Sequence, residues 1–289
     1  MHHKVNRPEL FNEIGGNVVR VEADLELIAE AYKSGLYSYV NLPVLHQRDG
    51  MDWSCENQVA EQLRKIIEVV ERLKHHPGVM MWSIGNEHGI IPKEGFNTNY
   101  DKNTWKKLDG IAKSIKAVDT KHPVGFCIAG VGVVSRLKEI AEFSENLDFI
   151  GINAYGEFSD IVRDAKTVWK KPIIFSEWGI DPWWTQSWKA HWRVFEEATS
   201  YDKAKQIQLR IREIEDLRGS CVGGFVFYWG EREEHSVTYW GLLHKDKATD
   251  SVGALAREWE GVYSDRRPLR MDKPVIKNQY GDMIEKGGL

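Results

Sequence analysis

Glu87 and Glu177 are the residues of this 289-residue chain best placed to do chemistry. Glu87 follows the apolar run 79–84 and the pair Gly85-Asn86. Glu177 follows the run 173–176 and precedes Trp178-Gly179. Short apolar runs bounded by turn residues read as buried strands. Each carboxylate therefore stands at the C-terminal tip of a strand, beside a glycine that admits a close neighbour. In a parallel α/β barrel all such tips open on one mouth. Two carboxyls facing one another there can protonate a leaving oxygen and attack an anomeric carbon, which is the chemistry of glycosidic cleavage.

The elements that must hold them alternate along the whole chain. Strand-length apolar runs fall at 17–21, 36–44, 79–84, 124–128, 149–153, 173–175 and 225–229. Between them, apolar residues recur at helical spacing, as in Val59, Leu63, Ile66, Ile67, Val70 and Leu73. A parallel strand pair needs a crossover of a dozen residues or more, and these helices supply it. Near-continuous apolarity says that both faces of the sheet are covered. Seven units in series predict eight, closed as a (β/α)8 TIM barrel over residues 1–262. Its first unit is compressed, with a strand at 4–6 and a short helix at 8–14. The rival is an open doubly wound sheet, but no glycine-rich phosphate loop follows an early strand. Residues 263–289 carry Pro268, Pro274 and Gly281 and read as an extended tail.

The residues around the two glutamates resemble a known family. The segment from His76 through Trp82 to Asn86-Glu87 is similar to the acid/base segment of glycoside hydrolase family 2, which includes β-galactosidases, β-glucuronidases and β-mannosidases. Ile174-Phe175-Ser176-Glu177-Trp178-Gly179 is similar to its nucleophile segment. The resemblance runs from about residue 16 to 261. It implies a retaining β-glycosidase working by double displacement on β-linked oligo- or polysaccharides, with Glu87 as acid/base and Glu177 as nucleophile. It further implies that Asn86 bonds the sugar 2-hydroxyl, that Arg20 holds Glu177 ionised, that Tyr155 bonds the nucleophile, and that Trp229 floors the sugar subsite. His46, beyond the third strand, and Trp178 join them as candidate substrate contacts. The chain departs from the family in lacking counterparts of the β-sandwich domains that precede the barrel. The loop after the second strand, Glu22-Ala23-Asp24, is also very short.

Two other functions use the same residues. A transglycosylase would put a sugar hydroxyl in place of water, and a carbohydrate-binding barrel would hold the sugar without turnover. The choice among galactose, glucose, mannose and glucuronic acid falls to loops.

Composition narrows the partners. A net charge of −4 argues against nucleic acid. No apolar stretch approaches the roughly 20 residues that span a bilayer. The N-terminus has no secretory apolar segment, so the cytoplasm is the default compartment. Twelve tryptophans are many for this length, and aromatic faces suit the C–H faces of pyranoses. After the nucleophile, Trp183, Trp184, Trp188 and Trp192 read either as core stacked on a helix face or as a sugar-binding rim, and residues 231–235 after the last strand read either as a solvated loop or as a subsite that bonds sugar hydroxyls. Three scattered cysteines form neither a disulfide framework nor a metal set. No cofactor or metal is expected, and Cys127 and Cys221 read as core.

Overall fold

The computed structural model describes residues 6–88, 102–130, 132–185, 197–234, 236 and 238–260. The order is α1 (Pro8–Glu13), β1 (Val18–Glu22), α2 (Leu25–Lys33), β2 (Tyr37–Asn41), α3 (Glu56–Leu73), β3 (Val79–Asn86), α4 (Lys102–Val118), β4 (Val124–Ala129), α5 (Val133–Ala141), β5 (Phe149–Asn153), α6 (Phe158–Val168), β6 (Ile173–Trp178), α7 (Ser200–Asp216), β7 (Cys221–Val226) and α8 (Asp250–Glu260). Before α8 a small antiparallel pair, β8 (Leu243–His244) and β9 (Lys247–Ala248), was not signalled by any apolar run.

The seven long strands form one parallel sheet in sequence order, β1 to β7. The sheet curls until β7 and β1 touch, although no ladder joins them. Asn6, the described end of the expected first strand, meets the segment that follows β7. Its carbonyl accepts from Trp229 Nε1 at 2.5 Å. This is the (β/α)8 architecture; Lys4 and Val5 of the expected first strand, and the tail beyond residue 262, lie outside the described residues.

Strand alternation builds two cores. One residue from each of five strands fills the barrel interior: Tyr39, Met81, Cys127, Phe149 and Ile174, with Val18 and Phe225 packed beside them. Their neighbours Val40, Trp82, Phe126, Ile150 and Phe175 point the other way, under the helices. A period of two makes this division inevitable once either face is fixed. Cys127 and Cys221 are buried, as their apolar settings imply.

Two strand boundaries differ from the sequence reading. The second strand stops at Asn41 rather than residue 44, because Pro43 has no N–H for a ladder. The last long strand occupies 221–226 rather than 225–229, and the chain leaves it at Phe227-Tyr228, whose peptide is cis. The tight connection after β1 is confirmed. Asp24 caps α2 immediately, accepting from Glu26 N at 2.8 Å and Leu27 N at 3.2 Å.

Candidate active site

The C-terminal ends of the strands surround a cavity of about 1420 Å³. Arg20, Asn86, Glu87, Tyr155, Glu177 and Trp229 all stand in its wall. They come from the ends of several strands, Asn86 and Glu87 together from the end of β3, and local irregularities aim some of them. The β3–β4 register shifts between Ser83 and Asn86, and the β5–β6 register shifts between Gly151 and Asn153. Such shifts re-aim side chains at strand ends. Gly85 has φ +92°, and a Cβ there would lie 1.9 Å from His88 Nε2. The glycine before Asn86 is therefore required both by its backbone and by the histidine ring against it. At Gly179 a Cβ would meet the Phe227 carbonyl at 2.9 Å. Glu87 itself has φ +52°, a left-handed conformation that costs a non-glycine residue about 1–3 kcal/mol.

Arg20 organises the floor. Its Nη1 donates to Glu177 Oε1 at 2.9 Å and its Nη2 to Asn86 Oδ1 at 2.9 Å. Its guanidinium lies 5.6 Å from the Tyr39 ring centroid, on the interior core. Tyr155 donates to Glu177 Oε2 at 3.1 Å, so both oxygens of Glu177 are held. Asn153 donates to Asn86 Oδ1 and to Glu87 Oε1, each at 3.0 Å. An unbroken path of hydrogen bonds thus runs from Glu177 to Glu87 through Arg20, Asn86 and Asn153. The two glutamates converge across part of the barrel rather than its full diameter, since only β4 and β5 separate their strands.

Burial raises the pKa of Glu177, with Arg20 opposing and Glu87 reinforcing the rise. The arginine lowers the cost of ionising this carboxylate but does not cancel the desolvation. Burial also lifts the Tyr155 hydroxyl, and Glu177 beside it lifts it further. Tyr155 is thus held as a donor. For Arg20 burial works downward but is outweighed by Cys127, Glu177 and Tyr39, so the cation is secure.

Two candidates lie elsewhere. Trp178 is 2% exposed and packs in the core under the helices; its even spacing from the inward-facing Ile174 would put both on one face, but the β6–β7 register shifts between Phe175 and Trp178 and turns it outward. His46 stacks on His88 with centroids 4.1 Å apart, and neither ring belongs to the described cavity wall. Trp229 lines the cavity, with Phe11 packed edge-on against its ring at 4.7 Å. After β7, Arg232 and Glu234 also line the cavity; His235 lies outside the described residues. So do Trp188 and Trp192, while Trp183 packs partly buried against the core.

The sequence reading missed Asn153, Ser176, Asn41 and Glu22. A signal existed for the first: Asn153 is two residues before Tyr155, so strand alternation puts both on one face. Asn41 and Glu22 end adjacent strands and are joined, Asn41 Nδ2 lying 3.3 Å from both Glu22 carboxylate oxygens. Among the described residues no cluster of His, Cys, Asp or Glu could hold a metal, and no helix is long and apolar enough to cross a membrane.

A parallel barrel with paired carboxylates at its C-terminal mouth defines a class of sugar-processing domain. Residues 9–258 match the family model described as glycosyl hydrolases family 2, TIM barrel domain, and the chain belongs to that family. No curated protein sequence matches the chain. Among solved structures, a Bifidobacterium dentium β-glucuronidase complexed with coumarin-3-O-glucuronide is similar at TM-score 0.62 and 16% identity, covering 88% of this chain and 42% of that one. A Ruminococcus gnavus β-glucuronidase is similar at TM-score 0.63 and 17% identity, covering 88% and 46%. The chain thus spans less than half the length of these enzymes. The Ignisphaera aggregans GH53 catalytic domain is similar at TM-score 0.64 and 16% identity, covering 88% of both chains. At such identities these likenesses speak for the fold.

Proposed function

We propose that the chain is a retaining β-glycosidase, with Glu177 as nucleophile and Glu87 as acid/base. The observation that carries this reading is the hydrogen-bonded path joining the two glutamates inside one cavity. In the first step a Glu177 oxygen bonds to the anomeric carbon as the bond to the leaving oxygen breaks. The proton on Glu87 passes to that oxygen. In the second step Glu87 takes a proton from water, the water oxygen bonds to the anomeric carbon, and the ester bond to Glu177 breaks. The sugar leaves with its original configuration. Arg20 and Tyr155 hold both oxygens of Glu177 and favour its ionised form against the desolvation that opposes it.

Because similar solved structures are β-glucuronidases, aryl β-glucuronides join galactosides, glucosides and mannosides on the panel to be tried. Glu177→Ala should reduce turnover of the best aryl glycoside by about 10⁴-fold or more, in line with losses on removing a nucleophile. Azide should restore aryl release and give the inverted glycosyl azide, because it enters the face that Glu177 vacates. A folded Glu177→Ala protein that azide does not rescue would refute the assignment.

A further inference from the structure

We infer that Asn153, its polarity set by Arg20 through Asn86 and its amide locked in place by Ser176, fixes which oxygen of Glu87 carries the proton to be transferred. This rests on the two-glutamate reading above and adds a positioning device to it. The starting point is that an arginine only donates hydrogen bonds. Arg20 Nη2 lies 2.9 Å from the Asn86 side chain, so Asn86 must turn its oxygen to the arginine. That same oxygen lies 3.0 Å from the Asn153 side chain, so Asn153 must present its NH2. The second amide hydrogen of Asn153 then points at Glu87 Oε1, also at 3.0 Å.

The remaining Asn153 atom, Oδ1, accepts from Ser176 Oγ at 2.7 Å. Ser176 is fully buried and Asn153 is 4% exposed, so water does not compete at either group. Rotating the Asn153 amide by half a turn would set its oxygen against two other oxygens and its NH2 against a hydroxyl. The Ser176 hydroxyl thereby locks the amide from behind, while Arg20 dictates its polarity from the front.

Two consequences follow for the reacting groups. Glu87 Oε1 faces a donor that cannot accept, so the proton of the acid form resides on Oε2. That oxygen delivers the proton to the leaving group and later receives one from water. Asn86 has its oxygen engaged by both Arg20 and Asn153, so its own NH2 is the part left to meet a sugar.

The test separates this device from general damage by varying the leaving group. Phenyl and 2,4-dinitrophenyl β-glycosides are compared, carrying whichever of galactose, glucose, mannose and glucuronic acid the wild-type chain turns over fastest. Phenolate is a poor leaving group and needs the proton; dinitrophenolate departs with little help. In Ser176→Ala and Asn153→Ala, the ratio of kcat/KM for phenyl over dinitrophenyl glycoside should fall about 10- to 100-fold, a part of the ~10²–10⁴ that general acid catalysis contributes. A purely structural role lowers both substrates together and keeps the ratio. An unchanged ratio in Ser176→Ala, which removes a single buried oxygen and is the variant least at risk of misfolding, overturns the inference. Absence of dinitrophenyl turnover in the wild-type chain would instead refute the two-glutamate reading itself, and the relay with it.

Discussion

Replacing Arg20 by methionine isolates the interaction on which the floor of the cavity depends. The Arg20 and Glu177 side chains are 14% and 20% exposed and lie 2.9 Å apart. Methionine keeps much of the packing volume over Tyr39 but leaves the carboxylate without its counter-ion. Breaking a buried pair from one side costs about 3–5 kcal/mol. Residual solvent access and the surviving Tyr155 bond put this case near the lower end, about 3 kcal/mol. At about 2 °C per kcal/mol for a chain of this size, the melting temperature should drop by roughly 6 °C at pH 8. The loss must also depend on pH in a defined sense. Burial already raises the Glu177 pKa, and Arg20 is the leading influence against that rise. Without it the folded-state pKa climbs further above the unfolded value. A raised carboxylate contributes stability that is present below the unfolded pKa and lost as pH rises through the folded one. The deficit of Arg20→Met should therefore be largest at pH 8 and shrink toward pH 4, where Glu177 is protonated. Calorimetric scans of both proteins across that range provide the measurement. A variant melting within about 1 °C of wild type at pH 8, or one penalised more at pH 4, would refute the reasoning.

Other predictions follow from the same geometry. Glu177→Gln mimics the protonated form that burial favours, so it should be at least as stable as wild type at pH 8, with the advantage fading as pH falls from the raised folded pKa to the ordinary glutamate range and absent below it; a Gln variant that melts lower at pH 8 would contradict the direction given for Glu177. Away from the cavity, Asp119 accepts from Trp82 Nε1 and His122 Nδ1, each at 2.8 Å, and from two backbone amides. Burial works to raise its pKa, but these bonds outweigh it and the net direction is down. Asp119→Ala leaves a fully buried indole N–H without its acceptor and should cost about 2–3 kcal/mol in urea denaturation at neutral pH. Because a depressed carboxylate loses its contribution as pH falls, that deficit should narrow in acid.

The barrel was legible in the sequence because its causes are local and repeated. Seven apolar runs of strand length, each followed by a helical face, specify parallel pairing with both sheet faces covered. Glu87 and Glu177 were legible for the same reason: each ends an apolar run, and every run in such a barrel ends at one mouth. Arg20, Tyr155 and Trp229 entered by family resemblance, and the fold brings all three to the cavity wall. Trp178 could not be excluded by alternation, since its even spacing from the inward-facing Ile174 puts both on one face until the register shift between Phe175 and Trp178 turns it.

What the tertiary structure alone decided is which polar atoms meet. No spacing in the chain announces that Asn153 touches both Asn86 and Glu87, that Ser176 backs Asn153, or that His46 stacks on His88 instead of entering the cavity. Those contacts join residues on different strands, and register shifts within the ladders set their alignment. A register shift leaves apolar periodicity almost intact while moving a side chain from one partner to another. Hydrophobic pattern, a property of each segment, therefore fixed the architecture. Hydrogen-bond partnership, a property of segments brought together, arose only when the sheet curled.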